Sequence, residues 1–115
     1  MEAACRGARS EGGLTVGILP GHDRRSSNDY LDVSLPTGLG EMRNFVLVTA
    51  ADAVIALTGE FGTLSELGFA LRIGRPVVGL NTWELARAGG EKVDAFEVAS
   101  TPEEAVAKAL AQARV

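Results

Sequence analysis

Two stretches of this sequence carry residue types that can bind an anion and move charge beside it. The first is Thr58-Gly59-Glu60-Phe61-Gly62-Thr63, a glycine-containing turn between an apolar, β-branched run and a helical pattern. Strand, turn and helix in that order aim free backbone N–H groups and the positive end of a helix dipole at an anion. Gly59 and Gly62 would allow positive φ and close approach of backbone to ligand. Alone, G-x-x-G-T is a weak pattern, because glycine turns before helices are common. Glu66 has two readings. In one, Thr63-Leu64-Ser65-Glu66 is a capping box in which Glu66 folds back onto the Thr63 N–H. Thr101-Pro102-Glu103-Glu104 has the same form without a glycine turn before it, and reads as structural. In the other, the Glu66 carboxylate stands beside the anion and binds a ribose hydroxyl or acts as acid or base.

The second stretch is Pro36-Thr37-Gly38-Leu39-Gly40, another glycine-rich turn, followed by Arg43 and Asn44. Arg43 opens a helix that is otherwise nearly all apolar. It reads either as a solvated or ion-paired end residue or as a guanidinium gripping a phosphate or carboxylate, a geometry arginine suits better than lysine. Asn44 could donate to the same ligand or simply cap. His22, the only histidine, lies in a polar loop and reads as solvent-exposed. Cys5 reads as a small buried apolar group, and Trp83 as packing against a sheet edge rather than stacking on a base. No cluster of His, Cys, Asp and Glu has metal-ligand spacing.

The elements that must position these residues alternate. Met1 to Ser10 is predicted as a helix, Leu14 to Leu19 and Leu31 to Leu35 as strands, and His22 to Tyr30 as a surface loop. Glu41 to Ala51 follows as a helix, Ala53 to Leu57 as a strand, and Thr63 to Ile73 as a helix capped by Gly74. Pro76 to Leu80 is a strand, Asn81 to Gly90 a loop or short helical turn, and Ala95 to Val98 a short strand. The last helix opens at Thr101, with Val106, Ala109, Leu110 and Ala113 facing inward. Strands that are continuous apolar runs, alternating with helices, specify a mostly parallel sheet of about five strands covered on both faces: a three-layer α/β sandwich. Ligands of such sheets sit beyond the carboxyl ends of the strands. Both glycine-rich turns lie there.

A length of 115 residues suits one domain, 1–115. The formal charge of −4 argues against general affinity for nucleic acid or anionic membranes, while leaving room for a small anionic ligand in a local pocket. A single cysteine fits a reducing compartment. No apolar stretch approaches the roughly 18 residues of a membrane span. A cytoplasmic, soluble protein is the expectation. The helix Glu41 to Ala51 is apolar nearly all round and must be covered on both sides, which points to a homo-oligomer, a dimer or tetramer.

Gly40-Glu41-Met42-Arg43-Asn44, followed by Ala51-Asp52-Ala53-Val54-Ile55-Ala56-Leu57-Thr58-Gly59-Glu60-Phe61-Gly62-Thr63-Leu64-Ser65-Glu66, resembles the Lonely-Guy type, also described as "possible lysine decarboxylase". Those proteins are Rossmann-like, with a P-G-G-x-G-T-x-x-E signature and an arginine upstream. Here Arg43 precedes Glu66 by 23 positions. Thr37 to Asn44 and Gly74-Arg75-Pro76-Val77-Val78-Gly79-Leu80 look closer to a small bacterial branch related to molybdenum-cofactor carrier proteins. The first resemblance implies hydrolysis of the N-glycosidic bond of a nucleoside 5′-monophosphate, with no cofactor, Arg43 and Glu66 as the catalytic pair, and Thr58, Gly59, Glu60, Phe61, Gly62 and Thr63 around the phosphate. The second implies a non-catalytic carrier of the molybdenum cofactor, a phosphorylated pterin. Two departures stand out. Thr58 replaces the signature's proline and Glu60 its second glycine. A carboxylate ~4 Å from a phosphate costs about 1 kcal/mol per charge pair in water-like surroundings and ~4 near a protein surface. A positive φ at Glu60 would add roughly 1–2 kcal/mol of strain. The family's first strand and its glycine-rich turn would precede Met1, so the resemblance also implies a chain shortened at its N-terminus.

Overall fold

The computed structural model describes residues 1–113, which divide into two compact units, Met1–Arg43 and 44–113. The first unit holds α1 (Glu2–Ser10), β1 (Val16–Leu19) and β2 (Val33–Pro36). β1 and β2 pair in parallel, Val16 opposite Val33 through Leu19 opposite Pro36. A parallel pair needs a crossover of a dozen or more residues, and the polar segment from Pro20 to Asp32 supplies it with a single 3-10 turn at Arg24–Ser26. A polar clamp fixes the start of the pair. Thr15, buried just before β1, donates its N–H to Asp32 Oδ2 at 2.9 Å, and Asp32 returns its own N–H to Thr15 Oγ1 at 2.9 Å. The Thr15 N–H, with the hydroxyl adding to it, holds the Asp32 carboxyl below the usual carboxylate range.

α1 forms where the apolar spacing places it but buries no residue. Cys5 is half-buried rather than enclosed, with the Asn28 amide nitrogen 3.8 Å from its sulfur. Met1, on the same stripe, is 84% exposed.

The second unit carries most of α2 (Arg43–Ala50), then β3 (Val54–Leu57), α3 (Phe61–Ile73), β4 (Val77–Leu80), β5 (Leu85–Ala86), β6 (Lys92–Val93), β7 (Glu97–Ala99) and α4 (Pro102–Gln112). Its main sheet runs β3-β4-β7, all parallel. Successive residues of a strand face opposite sides, and β4 shows it. Val77 packs with Val48, Ala56, Leu67 and Ala70 on the α2/α3 side; Val78 packs with Ala99, Ala105 and Ala109 on the α4 side. Helices thus cover both faces, and the α/β layering expected from the apolar runs holds. Among the described residues the parallel strands number five, divided between two sheets, and an antiparallel hairpin adds β5 and β6.

Four local expectations need correction. α3 opens at Phe61, two residues before the expected Thr63, with Glu60 as its N-cap. The segment Asn81 to Gly90 is no plain loop: Leu85–Ala86 pairs with Lys92–Val93 through a turn in which Gly89 and Gly90 take φ of 91° and 90°. The strand expected at Ala95 to Val98 lies at Glu97–Ala99. In α4 the inward residues are Ala105 and Ala109, whereas Val106 and Leu110 are 49% and 73% exposed. Short alanine side chains let the helix approach the sheet closely, and that approach sets its rotation. By contrast, Gly74 ends α3 in the left-handed conformation, φ 78°, as a C-cap glycine should. Thr101 caps α4 by accepting the Glu104 N–H at 3.1 Å.

Candidate functional site

The expected site residues gather at the carboxyl ends of parallel strands, one group in each unit. In the second unit the chain leaves β3 through Thr58 and β4 through Asn81. These are the non-glycine residues with positive φ among those described, at 67° and 50°. They follow Leu57 and Leu80, which are register partners. A β-branched residue in this region is an outlier, and such strain costs on the order of 1–3 kcal/mol and collects at functional sites. Thr82 Oγ1 donates to the Thr58 carbonyl and locks the two turns together.

Glu60 sits at φ −75°, so the left-handed strain conceivable there falls on Thr58 instead. At φ 67° Thr58 occupies a conformation closed to proline, the residue of the Lonely-Guy signature. Gly59 and Gly62 are not among the positive-φ residues either. Their use is space, since a Cβ at either position would meet nothing within 4 Å.

α3 starts directly after the glycine-containing turn. The first N–H groups of a helix lack intrahelical partners, and the helix ladder begins with the Leu64 N–H donating to the Glu60 carbonyl at 3.1 Å. Glu60, exposed at the N-cap, makes no capping bond through its side chain. With the helix starting at Phe61, Thr63 lies inside its first turn and cannot cap it; its hydroxyl donates to the Leu57 carbonyl at 3.2 Å. Thr63 is therefore not the N-cap that the capping-box reading required. Glu66 is half-buried in the following turn.

Behind this turn Asn44 is 2% exposed. Its amide donates to Ser65 Oγ at 2.9 Å, and Ser65 Oγ donates onward to the Gly62 carbonyl at 2.7 Å. Because the serine proton is spent on Gly62, the asparagine amide must face the serine. That leaves Asn44 Oδ1 a buried acceptor without a donor, a costly condition that a ligand or water donor would relieve.

Two aromatic rings border the turn. Phe61, the first residue of α3, is 78% exposed. It stacks on Trp83 with centroids 5.9 Å apart and planes at 25°. The Trp83 indole N–H donates to the Glu60 carbonyl at 3.2 Å. Trp83 thus belongs to the site as well as to the packing beside the sheet. Asn81 and Thr82 were not legible as site residues; the only sequence signal is asparagine's tolerance of left-handed backbone after a strand.

In the first unit, Thr37, Gly38, Gly40 and Arg43 lie at the carboxyl end of β1. The N–H groups of Thr37, Gly38 and Gly40 donate to the carbonyls of Leu19, Gly21 and Pro20 at 3.0, 2.8 and 2.9 Å. Thr37 Oγ1 donates to the Leu19 carbonyl at 2.6 Å. These bonds tie the turn to the strand end, so its amides are engaged within the protein. His22 is exposed and lies against Gly38, where a Cβ would come 2.5 Å from the imidazole Cε1. Arg43 Nη1 donates to the Ile18 carbonyl at 2.7 Å.

A cleft of about 520 Å³ opens at the opposite, amino end of β4 and β7. Four of its polar side chains are already used: Arg75 bonds the Val48 and Thr49 carbonyls, Lys108 bonds Val98 and Glu104, and Gln112 bonds Glu97. Among the described residues no three of His, Cys, Asp and Glu gather around a possible metal position, and no helix is long and apolar enough to cross a membrane.

The SLOG cluster4 family model matches residues 1–109. An uncharacterised protein of Archaeoglobus fulgidus is 39% identical over 106 residues, covering 92% of this chain and 65% of that protein. The chain therefore spans a little under two thirds of this curated relative. Among solved structures, the molybdenum cofactor binding protein of Rippkaea orientalis is 34% identical with a TM-score of 0.79, covering 93% of this chain and 67% of that one. The molybdenum cofactor carrier protein of Chlamydomonas reinhardtii is 31% identical with a TM-score of 0.72, covering 90% and 64%. Both neighbours share the Rossmann-like α/β arrangement.

Proposed function

The chain belongs to the SLOG cluster4 family, and on that premise we propose that it is a non-catalytic carrier of the molybdenum cofactor, a phosphorylated pterin. The observation that carries this reading is the likeness to the Rippkaea orientalis protein, 34% identical over 93% of this chain.

The residues of the second unit fit the phosphate end of such a cargo. The N–H groups at the start of α3 and the open space at Gly59 and Gly62 admit an anionic oxygen close to the backbone. Thr58 and Asn81 hold the turn in shape before the ligand arrives, which lowers the ordering cost of binding. Asn44, through Ser65 and Gly62, braces the turn from behind. The exposed apolar side chains Phe45 and Val46 on α2, 38% and 37% accessible, support contact between copies of the chain.

Gel filtration of the protein with molybdenum cofactor freshly released from a donor enzyme tests the reading, beside incubation with AMP. Cofactor co-eluting with the protein and no ribose 5-phosphate released from AMP is the expected result. Release of ribose 5-phosphate that disappears in Glu66→Gln would replace the carrier with a phosphoribohydrolase using Glu66.

A further inference from the structure

Phe61 is placed against ordinary folding logic. The first position of a helix favours proline or small polar and acidic residues. Phe61 gains no core burial there, being 78% exposed. Yet its ring is not loose: one face lies on Trp83, 5.9 Å between centroids. Trp83 in turn is held by its indole bond to the Glu60 carbonyl and by packing against the α2/α3-side core. The two rings form a step at the start of α3, with Phe61 as its exposed member.

We infer that Phe61, backed by Trp83, is the stacking platform for the planar heterocycle of the ligand whose phosphate lies at the start of α3. This rests on the carrier reading above and extends it to the other end of the ligand. The exposed ring favours a ligand with a flat aromatic ring over a sugar phosphate alone, and under the carrier reading that ring is a pterin. Aromatic stacking accepts any π-face, so the platform supplies affinity, and the phosphate supplies register. Phe61 also touches Trp83, the chain's single tryptophan, so ligand stacking has an optical reporter.

The test uses the full chain with two probes, guanosine 5′-monophosphate and ribose 5-phosphate. Guanine shares the 2-amino-4-oxopyrimidine half of a pterin, and ribose 5-phosphate keeps the phosphate but has no ring. Calorimetric titration of the wild type, Phe61→Ala, Phe61→Leu and Phe61→Tyr is expected to show roughly 5- to 100-fold weaker nucleotide binding for the alanine and leucine variants. Phe61→Tyr should retain wild-type affinity, ribose 5-phosphate binding should be the same in all four, and the nucleotide should quench Trp83 emission. Because Phe61 is mostly exposed, all four should melt alike. Nucleotide binding unchanged in Phe61→Ala, or Phe61→Leu matching the wild type, overturns the platform while leaving phosphate binding intact. Equal weakening of both probes overturns it too, since Phe61 would then serve the turn rather than the ring. Failure of the wild type to bind either probe overturns the phosphate site and the platform together.

Discussion

Thr58 and Asn81 stand side by side at the ends of two parallel strands, each at positive φ, which the β-branched threonine disfavours and asparagine tolerates. Joined by the bond from Thr82 Oγ1 to the Thr58 carbonyl, the two turns shape one surface.

Replacing Thr58 by glycine separates folding from binding. Relief of left-handed strain is worth roughly 1–2 kcal/mol, against about 0.5–1 for glycine's extra unfolded-state entropy. Thr58→Gly should therefore unfold at slightly higher urea concentration while binding inorganic phosphate more weakly. A clear loss of stability would show that the threonine side chain itself holds the turn.

Gly62 gives a second separation. It lies in the first turn of α3 with open space where a Cβ would go. Gly62→Ala should raise stability by about 0.5–1 kcal/mol, yet weaken phosphate binding, because the methyl group occupies the space left for the anion. Unchanged binding, measured by calorimetry, would move the anion away from this turn.

Glu60 places a negative side chain at the N-cap. Its attraction to the helix dipole favours the protein without ligand, and its charge opposes a phosphate. Glu60→Gln should tighten phosphate binding about fivefold if the charges are separated by water-like surroundings, the equivalent of ~1 kcal/mol. The gain should shrink as salt rises. Equal affinity at low salt would mean that the carboxylate swings clear of the site.

How much of this could be read from the residues alone differs between elements. Apolar runs located β3 and β4, and the glycine turn between β3 and α3 drew attention to Thr58 through Glu66. The T-x-x-E pattern then misplaced the start of α3, because the backbone turns at Glu60, where no side-chain pattern announces it. The β5–β6 hairpin was invisible because strands of two residues carry no periodicity. In α4 the larger Val106 and Leu110 suggested the inward face, whereas close approach of helix to sheet selected Ala105 and Ala109. At the site, a β-branched threonine with positive φ contradicts its own propensity, so the strain could be found only in three dimensions.

The first unit has its own pH signature. Hydrogen bonding from the Thr15 N–H keeps the Asp32 pKa below its unfolded value. Such a group contributes stability above the unfolded value, and the contribution is lost as pH falls through the folded one. Asp32→Ala should therefore cost most at neutral pH, and the gap from the wild type should close in acid, as read from urea unfolding at several pH values. A gap independent of pH would assign the effect to packing.

The central claim is that the chain carries a phosphorylated pterin without altering it. Its most direct test is transfer: the protein is loaded with molybdenum cofactor, freed of excess by gel filtration, and mixed with cofactor-free nitrate reductase. The account predicts restored nitrate reduction from the wild type and much less from Gly62→Ala loaded in the same way. No restoration by the wild type, with no cofactor in its gel-filtration peak, would contradict it.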